Sequence, residues 1–182
     1  DAEAFGVDTP RGIILVGIPG NGKSMTAKAI GRMWEQPVLR LDIGSLFQKW
    51  VGESEERARH ALQLAEKAAP CVVWIDEIEK ALSQSDSDSG TSKRVFATIL
   101  TWMQEKTRAC FVVATANDVS RLPAELLRRG RFDEIFFLDL PTTQERIQII
   151  STHIRRRSTT SHPRQPEDFD LERLADECAG FV

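Results

Sequence analysis

Residues 17–24 read Gly-Ile-Pro-Gly-Asn-Gly-Lys-Ser, an instance of the pattern Gly-x-x-x-x-Gly-Lys-[Ser/Thr]. A random chain of this length would match it roughly once in a hundred, given ordinary glycine usage. The flanks constrain the fold further. Gly12-Ile13-Ile14-Leu15-Val16 is an apolar, β-branched run that reads as a buried parallel strand. Met25-Thr26-Ala27-Lys28-Ala29-Ile30 reads as the start of a helix. Strand, glycine loop and helix N-terminus together make an anion site, with backbone N–H groups aimed at phosphate. Gly17, Gly20 and Gly22 permit the close, positive-φ approach that such a loop needs. The candidate phosphate-binding residues are Gly17, Ile18, Pro19, Gly20, Asn21, Gly22, Lys23, Ser24 and Met25. In this pattern the lysine reaches the β- and γ-phosphates and the serine hydroxyl ligates Mg²⁺.

Strand-like runs recur at Ile13–Val16, Val38–Leu41, Cys71–Ile75, Cys110–Ala114 and Ile135–Leu138. Helix-like stretches lie between them, at Ser24–Trp34, Ser54–Ala69, Ser92–Lys106 and Pro123–Arg129. This alternation implies an α/β fold whose mostly parallel sheet is covered on both faces. Ser83–Ser92 is polar without an apolar anchor and reads as a mobile loop, and Ser158–Asp168 as another. After Pro141 the pattern becomes helical, with Ile147, Ile150 and Ile154 on one face and Leu171, Leu174 and Ala175 on a further helix. The expected division is a core over residues 1–141 and a partial helical subdomain over 142–182. Asp1–Phe5 reads as the middle of a helix, so an upstream segment is expected.

Two further runs carry chemistry. The apolar strand Cys71–Ile75 ends in Asp76-Glu77. An aspartate at a strand end can hold Mg²⁺ through water, and the next glutamate can act as general base on an attacking water. Read alone, the pair could equally stabilise a helix N-terminus. The strand beginning at Cys110 runs into Asn117, whose amide can orient the attacking water; read alone, Asn117-Asp118 is turn chemistry. Leu126-Leu127-Arg128-Arg129-Gly130-Arg131 concentrates guanidinium groups beyond what a core accepts, which suits either a solvated turn or anion recognition.

Bulk properties exclude other classes. Hydrophobic residues make up 41% and charged residues 28%, as in a soluble globular chain, and the net charge of −3 gives no reason to expect nucleic acid or anionic lipid. No apolar run approaches the ~18 residues that span a bilayer. Cys71, Cys110 and Cys178 form no Cys-x-x-Cys pair and read as reduced thiols, the first two buried in strands.

At this point the chain resembles the AAA family of ATPases, in the branch with a second region of homology. The resemblance rests on Pro10–Gly17, Gly17–Ser24, Lys49-Trp50-Val51-Gly52-Glu53-Ser54-Glu55, Trp74-Ile75-Asp76-Glu77 and Gly130-Arg131-Phe132-Asp133. Val-Gly-Glu-Ser-Glu, Trp-Ile-Asp-Glu-Ile-Glu-Lys and Phe-Asp-Glu-Ile-Phe-Phe-Leu-Asp-Leu-Pro look most like the AAA ATPases encoded by cyanobacteria and algal plastids. The resemblance implies a P-loop NTPase fold, a three-layer αβα sandwich on a five-stranded parallel sheet, followed by the start of a helical lid. It implies ATP and Mg²⁺ as ligands and a homo-oligomeric, usually hexameric ring that remodels protein substrates, in the cytoplasm or a plastid stroma. It makes Gly17–Ser24 the Walker A loop and Asp76 with Glu77 the Walker B acids. Asn117 becomes the sensor asparagine, Arg128 and Arg131 the arginine fingers acting on the adjacent subunit, and Trp50 with Val51 a central-pore loop. Without that context Trp50 is an ordinary, partly buried tryptophan.

The chain departs from the family in places. Ala114-Thr115-Ala116-Asn117 replaces the usual Gly-Ala-Thr-Asn, and Asp118 stands where arginine is usual. Trp50 replaces a tyrosine or phenylalanine. Two other functions remain compatible: a nucleotide-dependent switch or activase-like assembly chaperone that does not thread its partner, and a nucleic-acid motor. Arg155-Arg156-Arg157 and Arg164 offer the motor only a small basic cluster, at odds with the net charge of −3.

Overall fold

A computed structural model of the chain describes residues 5–6, 9–43, 53–81, 89–128, 130–159 and 163–180. Trp50 and Val51 lie outside the described residues, as does the 83–88 part of the expected loop.

The sheet has five strands: β1 (Gly12–Gly17), β2 (Val38–Leu41), β3 (Cys71–Ile75), β4 (Cys110–Ala116) and β5 (Glu134–Leu138). They run in the order β2-β3-β4-β1-β5, and every pairing is parallel. Parallel neighbours need crossovers, and helices supply them. These are α1 (Lys23–Met33), α2 (Glu53–Lys67) and α3 (Ser89–Glu105). The result is the parallel α/β sheet implied by the alternation of runs, in the P-loop NTPase architecture implied by the resemblance.

Period-two alternation sends the apolar strand residues to both faces. Ile14, Val16, Val73, Ile75, Val112 and Ala114 pack with Ala58 and Leu62 of α2 and Val95 and Ile99 of α3. Leu15, Val72, Trp74 and Val113 point the other way, with Ala27 and Ile30 of α1. Each such side chain fully buried contributes about 1.5–3 kcal/mol. Two glycines allow close approach. A Cβ on Gly12 would lie 2.2 Å from the Val112 carbonyl oxygen, and one on Gly31 would lie 2.1 Å from Val38 Cγ2. Asp133 Oδ2 accepts from the Arg11 and Gly12 N–H groups at 2.6 and 2.8 Å, fixing the entry to β1.

The described residues group into two compact units, one of residues up to Gly17 with Gly22–Leu138, the other of Ile18–Asn21 with residues from Asp139 onward. In the second unit, Thr142 and Glu145 form a capping box at the start of α4 (Thr143–Arg157). The Thr142 N–H donates to Glu145 Oε2 at 2.8 Å, and hydrogen bonding from Thr142 holds the Glu145 carboxyl below its ordinary range. Asp170 caps α5 (Leu171–Glu177), and Arg146 ties the two helices by donating to the Ala175 carbonyl at 2.7 Å.

Three stretches differ from expectation. In the expected helix Pro123–Arg129, the described residues 123–128 hold a 3₁₀ turn over Ala124–Leu127 and no α-helix, because Pro123 precedes it in extended geometry and Gly130 follows at φ 88°. Ser89–Ser92 is the first turn of α3 instead of loop, a helix start being where serine is best tolerated. Pro166–Asp168 is a 3₁₀ turn closed by Asp168, whose carboxylate accepts from the Gln165 N–H at 2.8 Å.

Candidate nucleotide site

Strand order decides what can meet. Gly17 ends β1, Asp76 follows β3 and Asn117 follows β4, and β4 lies between the other two. Because all three strands are parallel, these residues emerge at the same carboxyl edge, where open α/β sheets place their ligands.

Gly20 and Gly22 adopt φ values of 91° and 90°, left-handed geometry that other residues resist. Gly22 is also the N-cap of α1 and places no side chain on the first-turn N–H groups. That first turn lies at the positive end of the helix dipole, which favours an anion. Lys23 is 7% exposed and donates Nζ to the Gly17 carbonyl at 2.7 Å. Burial lowers its pKa, while the charges of Glu79, Asp76 and Glu77 work in the opposite direction. Ser24 and Met25 continue the first turn, and the Met25 side chain is exposed.

The acids are held by the neighbouring strands. Asp76 Oδ2 accepts from Arg40 Nη2 of β2 at 3.0 Å, and Oδ1 accepts from Thr115 Oγ1 of β4 at 2.8 Å. The same Thr115 oxygen accepts from the Glu77 N–H at 3.0 Å. Glu77 sits at φ 51°, which costs a non-glycine residue about 1–3 kcal/mol. Its Oε1 receives Asn117 Nδ2 at 3.3 Å. Glu79, 5% exposed, accepts the Asn117 N–H through Oε1 at 2.9 Å, and its Oε2 is buried without a hydrogen-bond partner among the described residues.

This donor set fits a magnesium nucleotide. Mg²⁺ keeps several waters and substrate oxygens and takes only one or two protein ligands, which the Ser24 hydroxyl and the Asp76 carboxylate can supply. Among the described residues no His, Cys, Asp and Glu side chains gather into a protein-only metal cage.

The AAA profile, described as the ATPase family associated with various cellular activities, matches residues 13–140. The chain belongs to the AAA family of ATPases. It is 52% identical to an uncharacterised AAA domain-containing protein, ycf46, of Trieres chinensis, over 99% of this chain and 36% of that protein. The protein of the same name in Pyropia yezoensis is 51% identical over 97% of this chain and 36% of its own length. A cell division cycle protein 48 homolog of Archaeoglobus fulgidus is 31% identical over 98% of this chain and 24% of its length. The chain thus spans about a third of the length of these ycf46 relatives. The subgroup expected from the motif residues stands.

Of the remaining expected residues of this AAA domain, the structure describes Arg128 and Arg131. Arg128 is exposed beyond the 3₁₀ turn, and Arg131 donates Nη1 to the Glu125 carbonyl, while its Nε is buried without a hydrogen-bond partner among the described residues. Among the described residues, neither arginine bonds Lys23, Asp76, Glu77 or Asn117. Asp118, the departure beside Asn117, caps the 3₁₀ turn Val119–Arg121 and pairs with Arg121 at 3.2 Å. Sequence reasoning missed Arg40, Glu79 and Thr115. The available signals were a polar residue inside the apolar run Phe111–Ala116 and an arginine in the apolar run Val38–Leu41.

Proposed function

We propose that this domain binds ATP with Mg²⁺ and hydrolyses it as one subunit of a homo-oligomeric, hexameric ring that remodels or unfolds a protein substrate. The reading is carried by one observation: Asn117 Nδ2 faces Glu77 Oε1 at 3.3 Å, at the edge where β1 gives way to the glycine loop. In this reading residues 1–141 are the catalytic core and 142–182 part of a helical lid. Gly17 to Ser24 and Met25 cradle the phosphates, and Lys23 balances their charge. Mg²⁺, when bound near Ser24 and Asp76, neutralises charge that develops on the phosphate oxygens. Glu77 takes the proton of the attacking water, and Asn117 orients that water and the carboxylate. Arg128 and Arg131 act on nucleotide held by the adjacent subunit; among the described residues neither bonds this chain's own acids. Trp50 and Val51 grip polypeptide in the central pore. The protein works in the cytoplasm or a plastid stroma, and no described helix is long and apolar enough to cross a membrane.

The test is ATPase rate per subunit against concentration for the full-length protein, with Glu77→Gln as the blank. A rate rising steeply with concentration is expected if sites are completed between subunits. A flat, low rate with intact nucleotide binding would replace the ring motor by a nucleotide-dependent switch.

A further inference from the structure

Thr115 is 1% exposed and lies in the middle of the sheet, on the strand between β3 and β1. Its neighbours in β4, Val112, Val113, Ala114 and Ala116, are buried and apolar. A hydroxyl buried at such a position costs free energy unless it is hydrogen-bonded. Here its hydrogen goes to Asp76 Oδ1 at 2.8 Å, and its oxygen receives the Glu77 N–H at 3.0 Å. The second bond involves the one residue of this acidic pair in left-handed geometry, Glu77 at φ 51°. An N–H turned away from the sheet ladder by that geometry needs another acceptor.

We infer that Thr115 is a positioning residue for hydrolysis: one hydroxyl fixes the Asp76 carboxylate and the Glu77 backbone together, so that the metal-side acid and the general base keep a constant relative geometry. Asn117, two residues further on and just past the end of β4, then sets the other end of Glu77 through its carboxylate at 3.3 Å. The strand β4 and the residue that follows it thereby hold Glu77 at both backbone and side chain. Neither Thr115 bond reaches the glycine loop or Lys23, so losing them leaves phosphate binding in place and disturbs the chemical step. This inference rests on the assignment of Asp76 and Glu77 given above.

The experiment compares Thr115→Val, Thr115→Ser and Thr115→Ala in the full-length protein, with Glu77→Gln alongside. It reads kcat, the affinity for a fluorescent ATP analogue, and the melting temperature. Thr115→Val should lower kcat by about tenfold or more, the scale of one hydrogen bond to a charged group. Nucleotide affinity should stay within about threefold, and Thr115→Ser should recover most of the turnover. Wild-type kcat in Thr115→Val beside an inactive Glu77→Gln overturns the inference and leaves the assignment of the acids intact. Thr115→Ser turning over as slowly as Thr115→Val also overturns it, because the methyl would then be what matters. Should Thr115→Val not fold, Thr115→Ser against Thr115→Ala decides in the same way, active serine and slow alanine being expected. Wild-type turnover in Glu77→Gln removes the assignment and the inference together.

Discussion

Arg40 Nη2 lies 3.0 Å from Asp76 Oδ2, and the same guanidinium sits 4.9 Å from the centre of the Trp74 ring. A cation from β2 thus already faces Asp76, the acid just after β3 that is proposed to meet the nucleotide's metal. The Arg40 side chain is 55% exposed, so the ion pair is worth only about 0–1 kcal/mol and the ring contact about 0.5–1 kcal/mol. Arg40→Gln should therefore lower thermal stability slightly, by about 1 kcal/mol. It should also reduce the Mg²⁺ concentration for half-maximal ATPase, by less than about fivefold, because Asp76 loses a competing cation. A magnesium titration of the ATPase checks this, and a raised Mg²⁺ requirement would contradict it.

Lys23→Ala should weaken ATP binding by at least about tenfold, since the phosphates lose a charge-assisted donor from the buried side chain. Titration calorimetry with ATP measures the loss. Wild-type affinity would mean that the glycine loop is not the phosphate site.

Arg131→Ala should lower turnover per subunit by about 10³-fold with ATP affinity retained, the scale of an arginine finger. In the proposed ring the loss belongs to the neighbour's site. Mixing Arg131→Ala with Lys23→Ala subunits should therefore restore part of the activity, each chain supplying what its partner lacks. Mixed assemblies no faster than their components would place Arg131 in a local role, holding the Glu125 carbonyl.

The cysteines should separate by reactivity. Cys71 and Cys110 are buried with sulfurs 3.8 Å apart, whereas Cys178 is exposed. Burial and then the neighbouring Cys71 push the Cys110 thiol up to about 12 from an ordinary 9.0. Native protein at pH 8 should take up iodoacetamide at Cys178 alone, as read by peptide mass spectrometry. A thiol whose folded pKa is raised contributes stability that is complete below its unfolded pKa. That contribution is lost as the pH rises from about 9 towards 12, so melting temperature should fall across this alkaline window. Rapid native labelling of Cys110 would refute the burial argument.

The strand positions were legible because β-branched apolar runs bounded by polar residues have few other uses. Val38–Leu41 and Cys71–Ile75 begin and end where the sequence pattern places them. The segment Pro123–Arg129 was less legible, since its turn depends on Pro123 and Gly130 acting within a few residues of each other. The pair Asp76-Glu77 and Asn117 stood out because each follows a largely apolar run directly. Arg40 and Thr115 did not, because nothing in their own neighbourhoods names their partners.

The sequence alone determined the features that depend on adjacent residues: the glycine loop between β1 and α1, the acids at the end of β3, and the alternation that demands a parallel sheet. Only the tertiary structure decided which side chains share those acids. Thr115 meets Asp76 across 39 residues of chain, and Arg40 meets it across 36. The register of β3 against β4 and β2 brings these pairs together, with Ile75 opposite Ala114 and Leu41 opposite Ile75. Register between parallel strands is fixed by how the crossover helices pack on the whole sheet, so no local run of residues encodes it.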